Sequence, residues 1–488
     1  MSISFNTIPN LLLTPGPYIE YDGSRAVQGL VPLPNRVLLI GARLASGSVA
    51  ASIMQRIRSV DDGDTMFGRG SQLSRMIRAF KKVNRLTELW AIALTGAGTA
   101  ATKTITATGT ITSDGTLHFW VGGIGPIDVA ITSGMTVTQV ATAIDTAFAI
   151  YEADWSYSFA PSVGVVTGTC RHAAAFGQDF DIRLNYGERE ALDMPAGLTI
   201  TIADGVAGAT DPDVTASITA IGDEWFTTIV SGFNGDANVD VLESYGDDTW
   251  GPMVQHDTMV FVGFSGSHAA ALTYADSRNS KFTVVPFLGV TPTPWWEIAA
   301  ATAAASTAEP DPARPRQTLA VKGVLPSSRE TLFTREDREL LLEAGVSTFK
   351  VASDGAVSIE RLCTTYVTNA NSIADSTFRN LETMLTLSAI RYTTRARIAT
   401  KYPRHKLAND DAAYGPGQAV VTPKVIRGEL IALFREWETN AWVEDAAQFK
   451  EELIVERNAS DPDRLDALLG PNLVNQFRVF AAQIQFLL

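Results

Sequence analysis

Ser265 stands in GFSGS (263–267), one residue short of the pattern that lifts a nucleophilic serine onto a sharp strand-to-helix turn. Ser267 takes the place of the final glycine, so an ordinary turn is expected there. GARLASGS (41–48) is glycine-rich but has no lysine before Ser48, the residue that grips phosphate in a P-loop. GGIGPID (122–128) lacks the third glycine of a dinucleotide fingerprint and lies among β-type residues, which makes it a turn. The histidines, His118, His172, His256, His268 and His405, show no metal-ligand spacing. DDGD (61–64) and the DPD runs at 211–213 and 461–463 lack the ligand run and closing glutamate of a calcium loop, and read as solvated turn carboxylates. Cys170 and Cys363 stand far apart and offer neither a disulfide framework nor a zinc site. No catalytic, cofactor-binding or metal-binding constellation emerges, and no cofactor is expected.

Positive charge is the remaining chemical signal, and it is local. The chain has 39 Lys and Arg against 53 Asp and Glu, a net charge of −14, which disfavours the molecule as a nucleic-acid coat. Yet RYTTRARIATKYPRHK (391–406) gathers Arg395, Arg397, Lys401, Arg404 and Lys406 about Tyr402. Such a stretch could grip nucleic acid, line an active site or dock on an acidic protein. VTPKVIRGELIALFREWE (421–438) follows as a helix with Thr422 as N-cap and Pro423 in the first turn. Ile426, Leu430, Leu433, Phe434 and Trp437 form its apolar face, leaving Lys424, Arg427, Arg435 and Glu436 on the other sides. A second basic segment, SQLSRMIRAFKKVNRL (71–86), has Ser71 as N-cap and Leu73, Met76, Ile77, Phe80 and Val83 on one face. Arg75, Arg78, Lys81, Lys82 and Arg85 lie mostly elsewhere, as on a core helix with a solvated basic face.

The elements that position these residues suggest several domains, since 488 residues exceed one compact core. An apolar content of 45% with 19% charged residues is that of a soluble globular protein, and no run approaches the ~18 apolar residues of a membrane span. NRVLLIGARL (35–44), the basic helix and LTELWAIAL (86–94) read as strand, helix and strand. Residues 96–208 turn to Thr, Gly, Ala and Val with hairpin signals and one helix at 136–150, consistent with an inserted, mostly β domain. Alternation resumes over 209–345, with strands at 226–231, 258–266 and 281–289 and a helix running into a Pro-rich connection at 301–318. A third unit, 346–475, carries long helices at 376–398 and 423–440. The fold class expected is α/β (α+β overall), with the core split between 35–95 and 209–345.

Both ends look like strands on tethers. Ile3 and Phe5 alternate with polar residues ahead of a Pro-broken linker, making 1–34 an N-terminal arm. At 476–488, Phe480, Ala482, Ile484, Phe486 and Leu488 share one strand face, with Gln483 and Gln485 on the other. A free apolar edge strand aggregates unless it pairs, and pairing into a neighbouring copy is a known recognition mode. Head-to-tail donation of such strands produces a ring or a helix.

PGPYIEYDGSRAVQGLVPLPNRVLLIGARLASGS (15–48), RNSKFTVVPFLG (278–289) and ATKYPRHKLANDDAAYGPGQAVVTPKVIRGELIALFREWE (399–438) closely resemble the contractile tail sheath proteins of Mu-like bacteriophages, over nearly the whole chain. Pro17 departs from the apolar residue more usual in the family. The resemblance implies a non-enzymatic subunit of the virion tail, assembled in the host bacterial cytoplasm into a helical homopolymer around a tail tube, with baseplate and tail terminator proteins as further partners and neither nucleic-acid binding nor membrane insertion. It implies contraction that drives the tube through the host envelope, terminal arms that weave subunits together, a tube-facing C-terminal domain and an inserted domain on the outside. On that reading the basic residues of 391–406 and of 423–440 meet an acidic tube wall. The alternative is a non-contractile surface or adhesive protein that binds a receptor through the inserted β domain.

Overall fold

The structure, a computed structural model, describes residues 13–19, 30–187, 192, 194–411 and 418–487. Its contacts divide the chain into two units, Pro34–Ser388 with Gln476–Leu488, and Met1–Leu33 with Ala389–Asn475.

In the larger unit the apolar run VLLI sits at the centre of β1 (Arg36–Ala42), and every residue from Val37 onward is buried. The chain then forms β2 (Met54–Ile57), α1 (Val60–Phe67), α2 (Gln72–Val83) and β3 (Glu88–Leu94). α1 corrects the sequence reading, because DDGD lies inside this helix and not in a solvated turn. Asp62 completes a capping box with Ser59, accepting the backbone N–H of Arg58 at 2.8 Å and of Ser59 at 3.0 Å. Asp64 accepts from the Ser74 hydroxyl and from Arg78, joining α1 to α2.

After β3 the chain leaves the core through an antiparallel bridge, Thr99 to Ala209, that ties the outgoing and returning strands together. Between them lie β4 (Thr102–Gly109), β5 (Gly115–Val121), β6 (Ile124–Ile131), α3 (Val137–Ala149), β7 (Tyr157–Ser162), β8 (Val165–Cys170), β9 (Ile182–Leu184) and β10 (Leu198–Asp204). They form a four-stranded sheet, β10-β4-β8-β7, and a three-stranded one, β6-β5-β9. An aromatic core of Phe119, Phe148, Trp155, Tyr157 and Phe180 holds them. Phe148 makes edge contacts with Phe119, Trp155 and Phe159 at centroid distances of 5.3, 5.4 and 4.9 Å. Gly122 and Gly123, with φ of 54° and 79°, form the two-residue β5–β6 hairpin turn, where both positions need positive φ.

The core resumes with α4 (Thr215–Ile221), β11 (Thr228–Ser231), α5 (Asp236–Trp250), β12 (Met259–Val262), α6 (His268–Asp276), β13 (Thr283–Val284) and α7 (Trp295–Ala308). The central sheet runs β13-β12-β11-β1-β3-β2, parallel throughout except for β2. The step from β1 to β3 crosses the sheet one way and that from β11 to β12 the other, so right-handed crossovers put α2 and α5 on opposite faces. Consistent with this, a Cβ on Gly41 of β1 would meet Met76 and Leu73 of α2 at 3.1 and 3.3 Å. β13 is two residues long where the sequence suggests nine, since Pro286 cannot donate to a ladder. α7 begins at Trp295, six residues before the expected start, and its buried alanines let it pack closely on α2. α8 (Arg335–Glu343) and the hairpin of β14 (Thr348–Val351) and β15 (Val357–Arg361) complete this part.

α9 (Leu381–Lys401) carries the chain from the larger unit into the smaller. It starts later than the expected 376 because Asp375 forms a turn instead, accepting from the Thr377 N–H and the Tyr366 hydroxyl. In the smaller unit follow β16 (Lys406–Leu407), β17 (Val420–Val421), α10 (Pro423–Thr439), β18 (Val443–Glu444), α11 (Ala446–Glu452), β19 (Ile454–Arg457), β20 (Leu465–Leu468) and β21 (Asn472–Leu473). The core gathers Ile390 of α9, Ile426, Leu430, Leu433, Phe434 and Trp437 of α10, and Phe449 of α11. Trp437 Nε1 donates to Thr393 Oγ1 at 2.9 Å, and Phe434 stacks on Phe449 at 4.2 Å.

Candidate assembly surfaces

In open parallel sheets ligands bind where the strand order reverses, beside the carboxyl end of the central strand. Here the chain's own atoms fill that place. Gln72 Oε1 accepts the Ala42 N–H at 2.8 Å, and Gln72 Nε2 donates to the Gly232 carbonyl at 2.6 Å. The Gln72 N–H at the start of α2 donates to Nε2 of His172, which the inserted domain supplies. Burial pushes the His172 pKa down to about 3, so this ring is a neutral acceptor. In GFSGS, Ser267 Oγ accepts the Ala270 N–H and caps α6, the ordinary turn expected. Among the described residues no group of His, Cys, Asp and Glu could hold a metal ion, and no helix is long and apolar enough to cross a membrane.

The basic stretch 391–406 is mostly helical, with Arg395, Arg397 and Lys401 on the last turns of α9. Glu429 of α10, nearly buried, draws two of the expected surface cations and Tyr402 together. It accepts from Arg397 at 3.0 Å, from the Tyr402 hydroxyl at 3.0 Å and from Lys401, while Arg397 also reaches Glu436 at 2.5 Å. Burial alone would raise the Glu429 carboxyl, but hydrogen bonds from Lys401, Arg397 and Tyr402 hold it below its usual range. Burial and the bond to Glu429 push Tyr402 up to about 12. Arg427 donates to the Lys450 carbonyl, and Arg395 lies 5.7 Å from the Tyr392 ring. Arg404, Lys406, Lys424 and Arg435 face solvent. The Glu429 cluster escaped sequence reading, although Arg397 and Lys401 at i and i+4 opposite Glu429 and Glu436 at i and i+7 are the spacing of two facing helix stripes.

The C-terminal segment is anchored at its root. Arg478 reaches Glu382 at 2.7 Å, and this fully buried carboxylate also accepts the Arg316 backbone N–H at 3.0 Å. Beyond Arg478 the chain is exposed, with Phe480 at 79%, Ile484 at 87% and Phe486 at 76%, and Ala482 exposed between them. Among the described residues no strand pairs with 476–487, so the alternating segment forms no ladder within its own chain. The hairpin of β19 and β20 is a two-stranded sheet, and its paired Ile454 and Leu468 are 51% and 63% exposed. Ile3, Phe5 and Leu488 lie outside the described residues.

Residues 207–365 match the model of the phage tail sheath protein central domain and 374–487 that of the phage tail sheath C-terminal domain. A Mu-like prophage FluMu tail sheath protein of Haemophilus influenzae is 40% identical over 494 residues, covering 100% of both chains. The chain belongs to the phage tail sheath family. Solved sheath tail proteins from Desulfitobacterium hafniense and Listeria innocua resemble it at 14% and 16% identity, with TM-scores of 0.49 and 0.48. The coverage is 94% of this chain and 100% of the first, and 92% of this chain and 93% of the second. As a tail sheath protein of the Mu-like type it is a structural component of the virion tail, and the mixed α/β architecture expected from its sequence is the one found. Both sheath domain matches lie C-terminal to the inserted strands β4 to β10, which neither match includes.

Proposed function

We propose that this sheath subunit polymerises head-to-tail into a helix around a tail tube, is assembled extended, and contracts to drive the tube through the host envelope. Baseplate and tail terminator proteins would hold its two ends, and no catalysis is required. The observation that carries this reading is the C-terminal arm, clamped at its root by the Arg478–Glu382 pair and apolar and unpaired beyond it. Such a segment is stable in water only when it pairs, and the open edges of β19–β20 in a neighbouring copy, with Ile454 and Leu468 exposed, offer a ladder and an apolar face. Contraction then draws on the free-energy difference between two packings of folded subunits joined by such tethers.

The tube-facing surface is assigned to Arg404, Lys406, Lys424 and Arg435, because Arg397, Lys401 and Arg427 already have partners in their own chain. Exposed ion pairs of about 0–1 kcal/mol each suit a contact that must guide assembly and then let go. Electron microscopy of the full-length protein beside a 476–488 deletion tests the arm. Striated tubes from the full-length chain and dispersed, folded particles from the truncation are expected; tubes from the truncation would refute arm donation. Charge reversal at Arg404 and Lys406 should abolish decoration of isolated tail tubes, and unchanged decoration would refute the inner-face assignment.

A further inference from the structure

One basic surface stays unexplained by the tube contact. Arg58, Lys81, Lys82, Arg85 and Arg78 line a groove of about 420 Å³ on the outer side of α2. Arg78 is paired with Asp64 at 2.9 Å, but Arg58, Lys81, Lys82 and Arg85 form no ion pair among the described residues. Lys81 is the least exposed of them, at 6%, and among the described residues its ammonium group, at the groove wall, makes no hydrogen bond or ion pair. Asp62 is the carboxylate that acts on it, yet Asp62 is already spent on the N–H groups of Arg58 and Ser59. A cluster of cations with no counter-ion in the groove repels itself, so the groove favours an anion supplied from outside the subunit.

The opposite face of the same sheet carries the complementary charge. α5 bears Asp236, Asp240, Glu243, Asp247 and Asp248 and no basic residue. Among the described residues Arg278 and Lys281 pair with them, and Asp236, Asp240 and Asp247 keep 77%, 67% and 69% of their side-chain surface exposed while paired. Because α2 and α5 lie on opposite faces, they cannot meet within one subunit.

We propose that the α2 groove receives the carboxylates of α5 from a second copy of this chain, forming a head-to-tail electrostatic contact between core domains. The inference rests on the self-assembly reading, which places other copies at high effective concentration around each subunit. A contact between two different patches repeats without closing on itself, as a helical lattice needs. Its ion pairs sit at the groove rim around Lys82 and Arg85, with Lys81 beneath them.

A charge swap tests this. The variants are Lys82→Glu with Arg85→Glu, Asp247→Lys with Asp248→Lys, and all four together; all change exposed residues, and circular dichroism verifies folding. Critical concentration for tube formation is read by sedimentation and electron microscopy. Each reversal alone should raise it by roughly tenfold, and the combined variant should restore it towards that of the unsubstituted chain. Reversals that leave the critical concentration unmoved, or a combined variant that shows no recovery, overturn the proposal while leaving self-assembly intact. An unsubstituted chain that stays dispersed overturns both readings.

Discussion

The crevice of the central sheet and the C-terminal arm sit at opposite extremes of completion. At the crevice Gln72, His172 and the Gly232 carbonyl satisfy one another, and nearby Arg75 of α2 pairs with Glu297 of α7 at 2.5 Å and donates to the Gly122 carbonyl of the inserted hairpin. Along the arm, by contrast, large apolar side chains are exposed and no strand among the described residues pairs with them. The interior therefore behaves as a finished, rigid body, and the unsatisfied surface is concentrated where copies would join. That division suits a polymer whose subunits move as bodies on flexible tethers.

Removing a member of the finished interior should have the largest effect. Arg75→Ala leaves the largely buried Glu297 carboxylate without its paired cation and should cost about 3 kcal/mol of folding stability, measured by chemical denaturation. Acid should act next. The His172 pKa is about 3 in the fold against an ordinary 6.5, so the unfolded chain binds more protons between these values. The stability that neutral His172 supports is intact above pH 6.5 and is lost as pH falls towards 3. His172→Gln should flatten that part of the stability–pH profile, and an unchanged slope would mean that other groups set it. A smaller loss, about 1 kcal/mol, is expected for Ser59→Ala, which removes the hydroxyl that caps α1. Smallest of all, Phe480→Ser with Ile484→Ser should change subunit stability by less than ~0.5 kcal/mol, since both residues are exposed. The same pair should nevertheless abolish tube formation, which would sharpen the contrast; a large stability loss in the isolated subunit would erase it.

Local signals carried much of this architecture. The apolar run of β1, the Ser71 cap and one-faced pattern of α2, the Thr422–Pro423 start of α10 and the glycine pair at 122–123 each report on a few neighbouring residues, and each formed as its chemistry suggests. What escaped depends on distance or on competing local geometry. DDGD reads as a turn until Ser59 is recognised as the cap that makes Asp62 the third residue of a helix. The Arg75–Glu297 pair joins residues 222 positions apart, and no periodicity connects them. Arg397 and Lys401 look like free surface charge until α10 brings Glu429 against them. The alternation of the arm was legible, but the partner that completes its ladder is a matter of assembly.

The most direct test is a cryo-electron microscopy map of assembled tubes in which residues 479–487 can be traced. The account predicts that this segment leaves its own subunit beyond Arg478 and runs as a strand along the β19–β20 hairpin of a neighbouring copy. An arm that folds back and pairs within its own chain would contradict it.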